Sequence, residues 1–183
     1  APRIRSRFSA SCSSGAAAPC ASGCGFEEIP ESLLIVGGGY IGCEFASIFH
    51  SFGTEVTIVE MLPQILPGED DEMASVLRRK WEKEGIKIYT DSKVTGIYTK
   101  DSRFKKVKIL SPQGELEIES EKVLISVGRK AYTDGLNLNG IGIEQNKGNI
   151  KVDEFLKTNI EDIYSAGDCI GNYLLAHVAS MEA

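Results

Sequence analysis

Residues 33–60, LLIVGGGYIGCEFASIFHSFGTEVTIVE, place a glycine-rich turn between two apolar runs, and this pattern constrains the fold more than any other. The first run leads into three glycines spaced G-x-G-x-x-G, Gly37, Gly39 and Gly42, and the second run ends at Glu60. Strand, glycine turn, amphipathic helix and second strand in this order form the parallel βαβ unit of a Rossmann-like sheet. The sequence therefore predicts an α/β fold that can hold a dinucleotide.

The glycine turn carries most of the predicted dinucleotide site. Gly37 allows the tight turn, Gly39 lets the backbone approach a pyrophosphate, and Gly42 lets helix and strand pack closely. The following helix directs free N–H groups and a partial positive charge at the phosphates. The predicted binding residues here are Gly37, Gly38, Gly39, Tyr40, Ile41 and Gly42. The alternative is a glycine-rich turn that binds no ligand.

Glu60 predicts which dinucleotide binds. It lies 23 residues after Gly37, where a carboxylate can accept hydrogen bonds from the hydroxyls of the adenosine ribose. A 2′-phosphate would place negative charge beside this acid, and the following Met61-Leu62-Pro63 offer no basic group. We therefore expect NAD(H) rather than NADP(H).

Composition excludes several classes of partner. The chain of 183 residues has a net charge of −6, so its overall charge does not favour binding to nucleic acid or to an anionic membrane surface.

Residues 1–25 contain three arginines and no acid, and 18 of these 25 residues are Ser, Ala, Gly or Cys. Such a segment cannot bury enough apolar surface to offset its chain entropy, so we expect a disordered or non-native head. Its composition also fits an organelle-targeting remnant.

The five cysteines do not predict a metal or redox centre. Cys20 and Cys24 lack the C-x-x-C spacing, and no histidine lies near them. We expect reduced, unpaired thiols, as in a cytoplasmic protein.

The chain after Glu60 alternates helix and strand signals before its pattern changes. A helix from Asp70 or Asp71 to about Glu84 is predicted, then a strand at 86–89. The short strands 93–99, 104–110 and 115–119 predict an antiparallel three-stranded insert, and 122–127 returns as a parallel strand. Short strands are also expected at 151–153 and 162–166, and a final helix from Leu174 or Leu175 to Ala183.

Helical spacing predicts the buried faces of the first two helices. These residues are Ile41, Phe45, Ile48, Phe49 and Phe52 in the first helix and Met73, Val76, Leu77 and Trp81 in the second.

Three motifs support a resemblance to a known family. The run GGGYIGCEFASIFHSFGTEVTIVEMLPQILPGEDDEM resembles the NAD-binding domain of the dihydrolipoyl dehydrogenase family of flavin-dependent pyridine nucleotide–disulfide oxidoreductases. VLISVGR at 123–129 resembles the family strand that leads to Gly-Arg, and TNIEDIYSAGDCIG at 158–171 resembles its second flavin motif. The resemblance covers residues 26–183 and fails for residues 1–25.

The resemblance implies further site residues. Glu44 matches the family acid beside the nicotinamide, although a solvated acid near a helix start is an equal alternative. Gly128 presents backbone near the bound nucleotide, and Arg129 holds the interdomain link or contacts the cofactor. Asp168 matches the acid that accepts from a ribityl hydroxyl of FAD. Ala176 lies in the helix start directed at the flavin, where a positive dipole end stabilises the reduced ring.

The family's catalytic groups are not in this sequence. Its flavin domain has its own G-x-G-x-x-G and a C-x-x-x-x-C redox pair, and its interface domain supplies a His-Glu base pair. We therefore expect no catalytic residue here and doubt that this chain alone binds FAD. Two alternatives stay open: another NADH-dependent disulfide reductase or NADH oxidase of the family, and a nucleotide-binding module or fragment without turnover.

The resulting division is a head at 1–25, an NAD-binding domain at 26–130 and a truncated piece of the family's central flavin-contacting domain at 131–183. Expected partners are the nicotinamide dinucleotide, the family's flavin and interface domains, and a 2-oxo acid dehydrogenase complex reached through lipoyl domains. We expect no metal, nucleic acid or membrane partner. The expected compartment is the cytoplasm, or a mitochondrion or plastid if the head is a targeting remnant.

Overall fold

The computed structural model describes residues 28–101 and 103–183, so the predicted head at 1–25 lies outside the described residues. The helices and strands follow in the order β1 (Ser32–Val36), α1 (Tyr40–Ser51), β2 (Glu55–Val59), α2 (Asp71–Glu84), β3 (Lys87–Tyr89), β4 (Lys93–Thr99), β5 (Lys105–Ser111), β6 (Gly114–Ser120), β7 (Lys122–Ile125), β8 (Gln145–Asn146), β9 (Asn149–Ile150), a 3₁₀ helix (Gly167–Ile170) and α3 (Ala176–Glu182).

A parallel four-stranded sheet in the order β3-β2-β1-β7 confirms the predicted α/β class. Its two central strands are mostly apolar and mostly buried because both of their faces are covered. The last residue of β1, Val36, pairs with Val59 of β2 and Ile125 of β7. The residues that follow these three strands therefore emerge side by side at one edge of the sheet.

The predicted insert forms a separate antiparallel sheet in the order β4-β5-β6, as the sequence indicated. Its inner face contributes Val107 and Ile109 to a core cluster with Leu34 and Val59 of the parallel sheet. The other face of β1, through Leu33 and Ile35, belongs to a second cluster with residues of α1 and α2. Residues 28–128 are thus three layers: helices, parallel sheet and meander.

The predicted buried face of α1 is partly wrong. Its buried residues are Gly42, Cys43, Ala46 and Phe49, while Ile48 and Phe52 are exposed. The helix approaches the sheet so closely at the glycine turn that small residues occupy the contact, and this rotates the apolar positions on either side outward.

The predicted face of α2 is also partly wrong. Trp81 is buried and Leu77 packs against the same core, but Met73 and Val76 are exposed, and Ala74 takes the place assigned to Met73. Positions 74, 77 and 81 keep the i, i+3, i+7 spacing of one helix face. The helical spacing is therefore correct. The error came from choosing the larger apolar side chain, Met73, instead of its neighbour Ala74 at the start of the helix.

The chain divides into two units, and the boundary along the sequence falls between Gly128 and Arg129. The second unit has a small core of Leu138, Ile143 and Ile150. Strands expected at 151–153 and 162–166 are not formed. Instead, β8 and β9 pair as a two-residue hairpin, and a single bridge joins Lys157 to Tyr164. Glycine- and asparagine-rich turns close these short pairings before a longer ladder can build. Assignment of the units to NAD-binding and flavin-contacting domains stays a prediction.

Candidate dinucleotide site at the sheet edge

The ends of β1, β2 and β7 are tied together by backbone hydrogen bonds. Gly37 N–H donates to Val59 O at 2.8 Å, and Ser126 N–H donates to Val36 O at 2.8 Å. The Ser126 hydroxyl also lies 3.0 Å from the carbonyl oxygens of Val36 and Gly37. Ser126 therefore holds the glycine turn against β7, a role that sequence reasoning missed because serine 126 is 89 residues away from Gly37.

Two glycines of the fingerprint are required by the protein's own packing. Gly37 has φ +102°, a conformation that L side chains rarely adopt, and a Cβ there would collide with Ser126 O. At Gly42 a Cβ would collide with the carbonyl oxygen of Gly37, because α1 starts directly against the turn. These contacts agree with the roles predicted for both residues in turn formation and in helix–strand packing.

Gly39, in contrast, is not required to be a glycine by the packing of the described residues. Its φ is −74°, which any residue can adopt, and a Cβ built there meets no atom of the described chain within 4 Å. Side-chain space at Gly39 therefore opens outward at the start of α1. A glycine without steric demand at this position fits a backbone that an external group approaches closely.

The start of α1 is uncapped, unlike that of α2. Among the residues that the structure describes, no side chain accepts a hydrogen bond at the Gly39 cap, and the first turn of α1 holds no acid. In α2, by contrast, Asp70 accepts from the N–H groups of Glu72 and Met73 at 3.0 and 3.3 Å. The first backbone N–H groups of α1 and the positive end of its dipole thus remain available for an anion.

Glu60 lies at the end of β2 with its carboxylate turned toward the glycine turn. Its side chain is 8% exposed. Oε2 accepts from Gly38 N–H at 2.6 Å, and Oε1 accepts from Leu62 N–H at 2.8 Å. The predicted ribose acceptor is thus brought together with the predicted phosphate-binding turn.

The loop 61–70 packs over the same turn, a contact that the sequence did not indicate. Leu66 N–H donates to Gly38 O at 2.7 Å, and Ile65 is buried beneath the turn. The Tyr40 hydroxyl donates to Glu69 Oε1 at 2.6 Å, and this hydrogen bond raises the pKa of Tyr40 above its ordinary value. The loop therefore forms a wall beside the start of α1.

Cys43 lies under the turn as a buried free thiol. Its Sγ donates to Gly38 O at 3.3 Å. Burial, and then the charges of Glu60 and Glu44, raise the pKa of Cys43 to about 12. The thiol therefore stays protonated near neutral pH and acts as a small packing group.

Comparison with known proteins identifies the family. The family model for pyridine nucleotide-disulphide oxidoreductases matches residues 15–183. The chain belongs to that family. Its members include the relatives described next, which are similar to this chain over most of its length.

Dihydrolipoyl dehydrogenase of Bacillus subtilis is 39% identical over 155 residues, which are 85% of this chain and 33% of that protein. Mitochondrial dihydrolipoyl dehydrogenase of Pisum sativum is 42% identical over 83% of this chain and 31% of that protein. Among solved structures, an HOCl-induced flavoprotein disulfide reductase from Escherichia coli has a TM-score of 0.76 at 31% identity, with 86% of this chain and 35% of that chain covered. The chain thus spans about a third of the length of these relatives.

The second unit of this chain brings its predicted flavin residues together around Arg129. Arg129 Nη1 lies 2.7 Å from Asp168 Oδ2, and the same guanidinium donates to Leu174 O, two residues before Ala176. Only Oδ2 of Asp168 has a partner in the described chain, so Oδ1 can still accept a ribityl hydroxyl. The remaining acceptor oxygen of Asp168 fits the ribityl contact that the resemblance implies. Arg129 thus pairs with Asp168 within this unit.

The remaining predicted residues have fewer contacts. Glu44 is exposed on α1, and Gly128 has φ +111° with open space around a built Cβ. Within residues 28–101 and 103–183, no group of three or more His, Cys, Asp or Glu side chains could hold a metal ion. No helix in that same part of the chain is long and apolar enough to cross a membrane.

Proposed function

We propose that residues 28–128 bind NAD(H). The observation that carries this proposal is Gly39, whose missing side chain serves no contact within the described residues yet opens beside an uncapped helix start. Glu60 lies next to it as a buried acceptor. A buried acid beside an anion-binding helix start fits a ligand with both a pyrophosphate and a ribose diol.

In this proposal the backbone from Gly37 to Gly42 holds the pyrophosphate and Glu60 holds the adenosine ribose. Glu44 and Gly128 contact the nicotinamide half. NAD⁺ supplies the hydride acceptor, while this chain's own residues bind and orient it. The preference for NAD(H) over NADP(H) follows from Glu60, with which no basic side chain of the described residues forms an ion pair.

We propose that the whole protein oxidises dihydrolipoamide with NAD⁺ through FAD and a redox disulfide. The names of the relatives at 39–42% identity support this reaction. The disulfide, flavin fingerprint and His-Glu base that it needs are not among residues 1–183, so this chain alone would bind nucleotide without turnover. A second candidate is another disulfide reductase of the family, which the description of the Escherichia coli structure favours.

The second unit would contribute Asp168 and the start of α3, at Ala176, to a flavin site completed by residues outside this chain. Its proposed partners are the family's flavin and interface domains, and lipoyl domains of a 2-oxo acid dehydrogenase complex. We propose the cytoplasm as its compartment. The mitochondrial relative in Pisum sativum supports an organelle as the alternative.

Titration with NADH and NADPH, followed by nicotinamide fluorescence, tests this function. We expect saturable NADH binding and much weaker NADPH binding by the unaltered chain. Gly39→Ala should keep the fold and weaken NADH by about tenfold or more, because the new methyl occupies the ligand's approach. Ser47→Ala, on the exposed face of α1, is the matched control.

Two results would contradict the proposal. One is an unaltered chain that folds but binds neither nucleotide. The other is a Gly39→Ala chain that binds NADH as the Ser47→Ala chain does. Gly42→Ala calibrates the fold readout, because its Cβ has no space and should destabilise the turn itself.

A further inference from the structure

We propose that Glu60 is a positioning residue as well as a ribose acceptor: its carboxylate locks the glycine turn, and the turn in return fixes the carboxylate. This inference rests on the NAD(H) binding proposed above. It concerns how selectivity arises, and it predicts that replacing this acid alone weakens both dinucleotides and does not switch the cofactor preference.

Both carboxylate oxygens of Glu60 are held by backbone donors on different sides. Oε2 accepts from Gly38 N–H at 2.6 Å inside the turn, and Oε1 accepts from Leu62 N–H at 2.8 Å in the following loop. The main chain of Glu60 is fixed too, because its N–H donates to Tyr89 O at 2.8 Å and its carbonyl accepts from Ser92 N–H at 2.9 Å. The residue is therefore immobilised at backbone and side chain.

Packing supports the same conclusion. A Cβ at Gly38 would lie 3.0 Å from Ile65 Cγ2 and 3.2 Å from Glu60 Cβ, so the turn rests directly on these side chains. Gly38 occupies an x position of the G-x-G-x-x-G fingerprint, which does not itself require glycine. Its close contacts with Glu60 and Ile65 explain why this position is a glycine here. Swinging the carboxylate away would leave the buried Gly38 N–H without its acceptor, which is unfavourable because a buried donor then loses its hydrogen bond.

The fixed carboxylate keeps acceptor capacity for a ligand. A carboxylate oxygen accepts up to two hydrogen bonds, and each oxygen of Glu60 uses one. One acceptor position therefore remains on each oxygen for the two hydroxyls of a ribose. A 2′-phosphate offers no proton there and meets a charge that cannot rotate out of its way.

Replacing Glu60 should therefore differ from replacing an acid that selects the cofactor but makes no hydrogen bonds to the protein. Loss of such an acid removes repulsion and lets NADPH bind. Loss of Glu60 leaves Gly38 N–H unpaired and loosens the turn that both dinucleotides need. We expect Glu60→Ala to weaken NADH and NADPH alike.

The test combines amide exchange with a ligand series. Exchange at Gly38 and at Leu34 is measured in the unaltered chain, in Glu60→Ala, in Glu60→Gln and in the control Glu115→Gln, which lies at an exposed position of β6. Affinities for NADH, 2′-deoxy-NADH and NADPH are measured in the same proteins. Glu60→Gln keeps the side-chain volume, so it provides a folded variant if Glu60→Ala does not fold.

In Glu60→Ala we expect exchange at Gly38 to rise at least about tenfold more than exchange at Leu34, because Leu34 in the sheet core reports only the change in global stability. The penalty for removing the 2′-hydroxyl should shrink in both Glu60 variants, a change that a purely structural residue would not produce. NADPH should not reach the affinity that the unaltered chain has for NADH. Glu115→Gln should match the unaltered chain throughout.

Separate results overturn the separate proposals. If the folded, unaltered chain does not bind NADH, the proposed function fails. If it binds NADH but Glu60→Ala raises Gly38 exchange no more than Leu34 exchange, or if either Glu60 variant binds NADPH as tightly as the unaltered chain binds NADH, the locking role of Glu60 is wrong.

Discussion

Among single residues, Cys43 shows how strongly burial beneath the glycine turn raises the pKa of a side chain. Burial raises its pKa from 9.0 to about 12, so the folded chain keeps the thiol protonated where an unfolded chain would begin to ionise it. Only the thiolate reacts rapidly with alkylating agents. The raised pKa therefore favours folding below pH 9, and this contribution is lost as the pH rises toward 12.

We expect Cys43 to resist iodoacetamide at pH 8 in the folded chain and to react readily in denaturant. Cys169, which is half-buried in the second unit, should react earlier under native conditions. Peptide mapping by mass spectrometry at timed intervals measures both sites in one sample. Equal rates for Cys43 with and without denaturant would contradict its burial.

At the scale of the elements, the two helices that flank Glu60 differ in how they begin. Asp70 caps α2 through its bonds to two backbone N–H groups, while α1 leaves its first donors uncapped. We expect Asp70→Ala to lower the free energy of unfolding by about 1 kcal/mol. Asp71→Ala, which loses only an interaction with the helix dipole, should cost a few tenths.

Urea unfolding of the two aspartate variants provides the measurement for α2. Both side chains are exposed, so removal of packing contributes little to either value. A larger loss in Asp71→Ala than in Asp70→Ala would show that charge at the helix start, and not the cap, stabilises α2.

Element order in residues 28–128 was predictable because each element has a local signal. Glycine spacing gave β1-turn-α1, and turn residues separated the meander strands. Helix faces were predicted less well, because burial of Ala74 rather than Met73 depends on how closely α2 meets the sheet. Long-range partners had no signal: Tyr40 meets Glu69 across 29 residues, and Ser126 meets Gly37 across 89.

At the scale of the whole molecule, the two units differ in how their apolar residues are covered. Both large core clusters lie within residues 33–124. In the second unit α3 has no buried residue, and Phe155, Tyr173 and Met181 are more than two-thirds exposed. Such apolar surface favours contact with another protein surface, which agrees with the proposal that this unit completes a flavin site with other domains.

This difference predicts that residues 28–128 are the folding and binding unit. A chain ending at Gly128 retains both large clusters, the glycine turn, Glu60 and Ser126, so it should unfold cooperatively. We expect its affinity for NADH to stay within about threefold of the affinity of the 183-residue chain, a difference below about 1 kcal/mol. Calorimetry and NADH titration of the two chains test this.

Amide exchange in the 183-residue chain gives an independent measure of the same asymmetry. The amides of α3 should exchange close to their unprotected rate, whereas those of β1 and β2 should require global unfolding, because protection follows buried contacts. If the chain ending at Gly128 aggregates or loses NADH binding, the second unit stabilises the nucleotide site. Protection of α3 equal to that of β1 would point to the same conclusion.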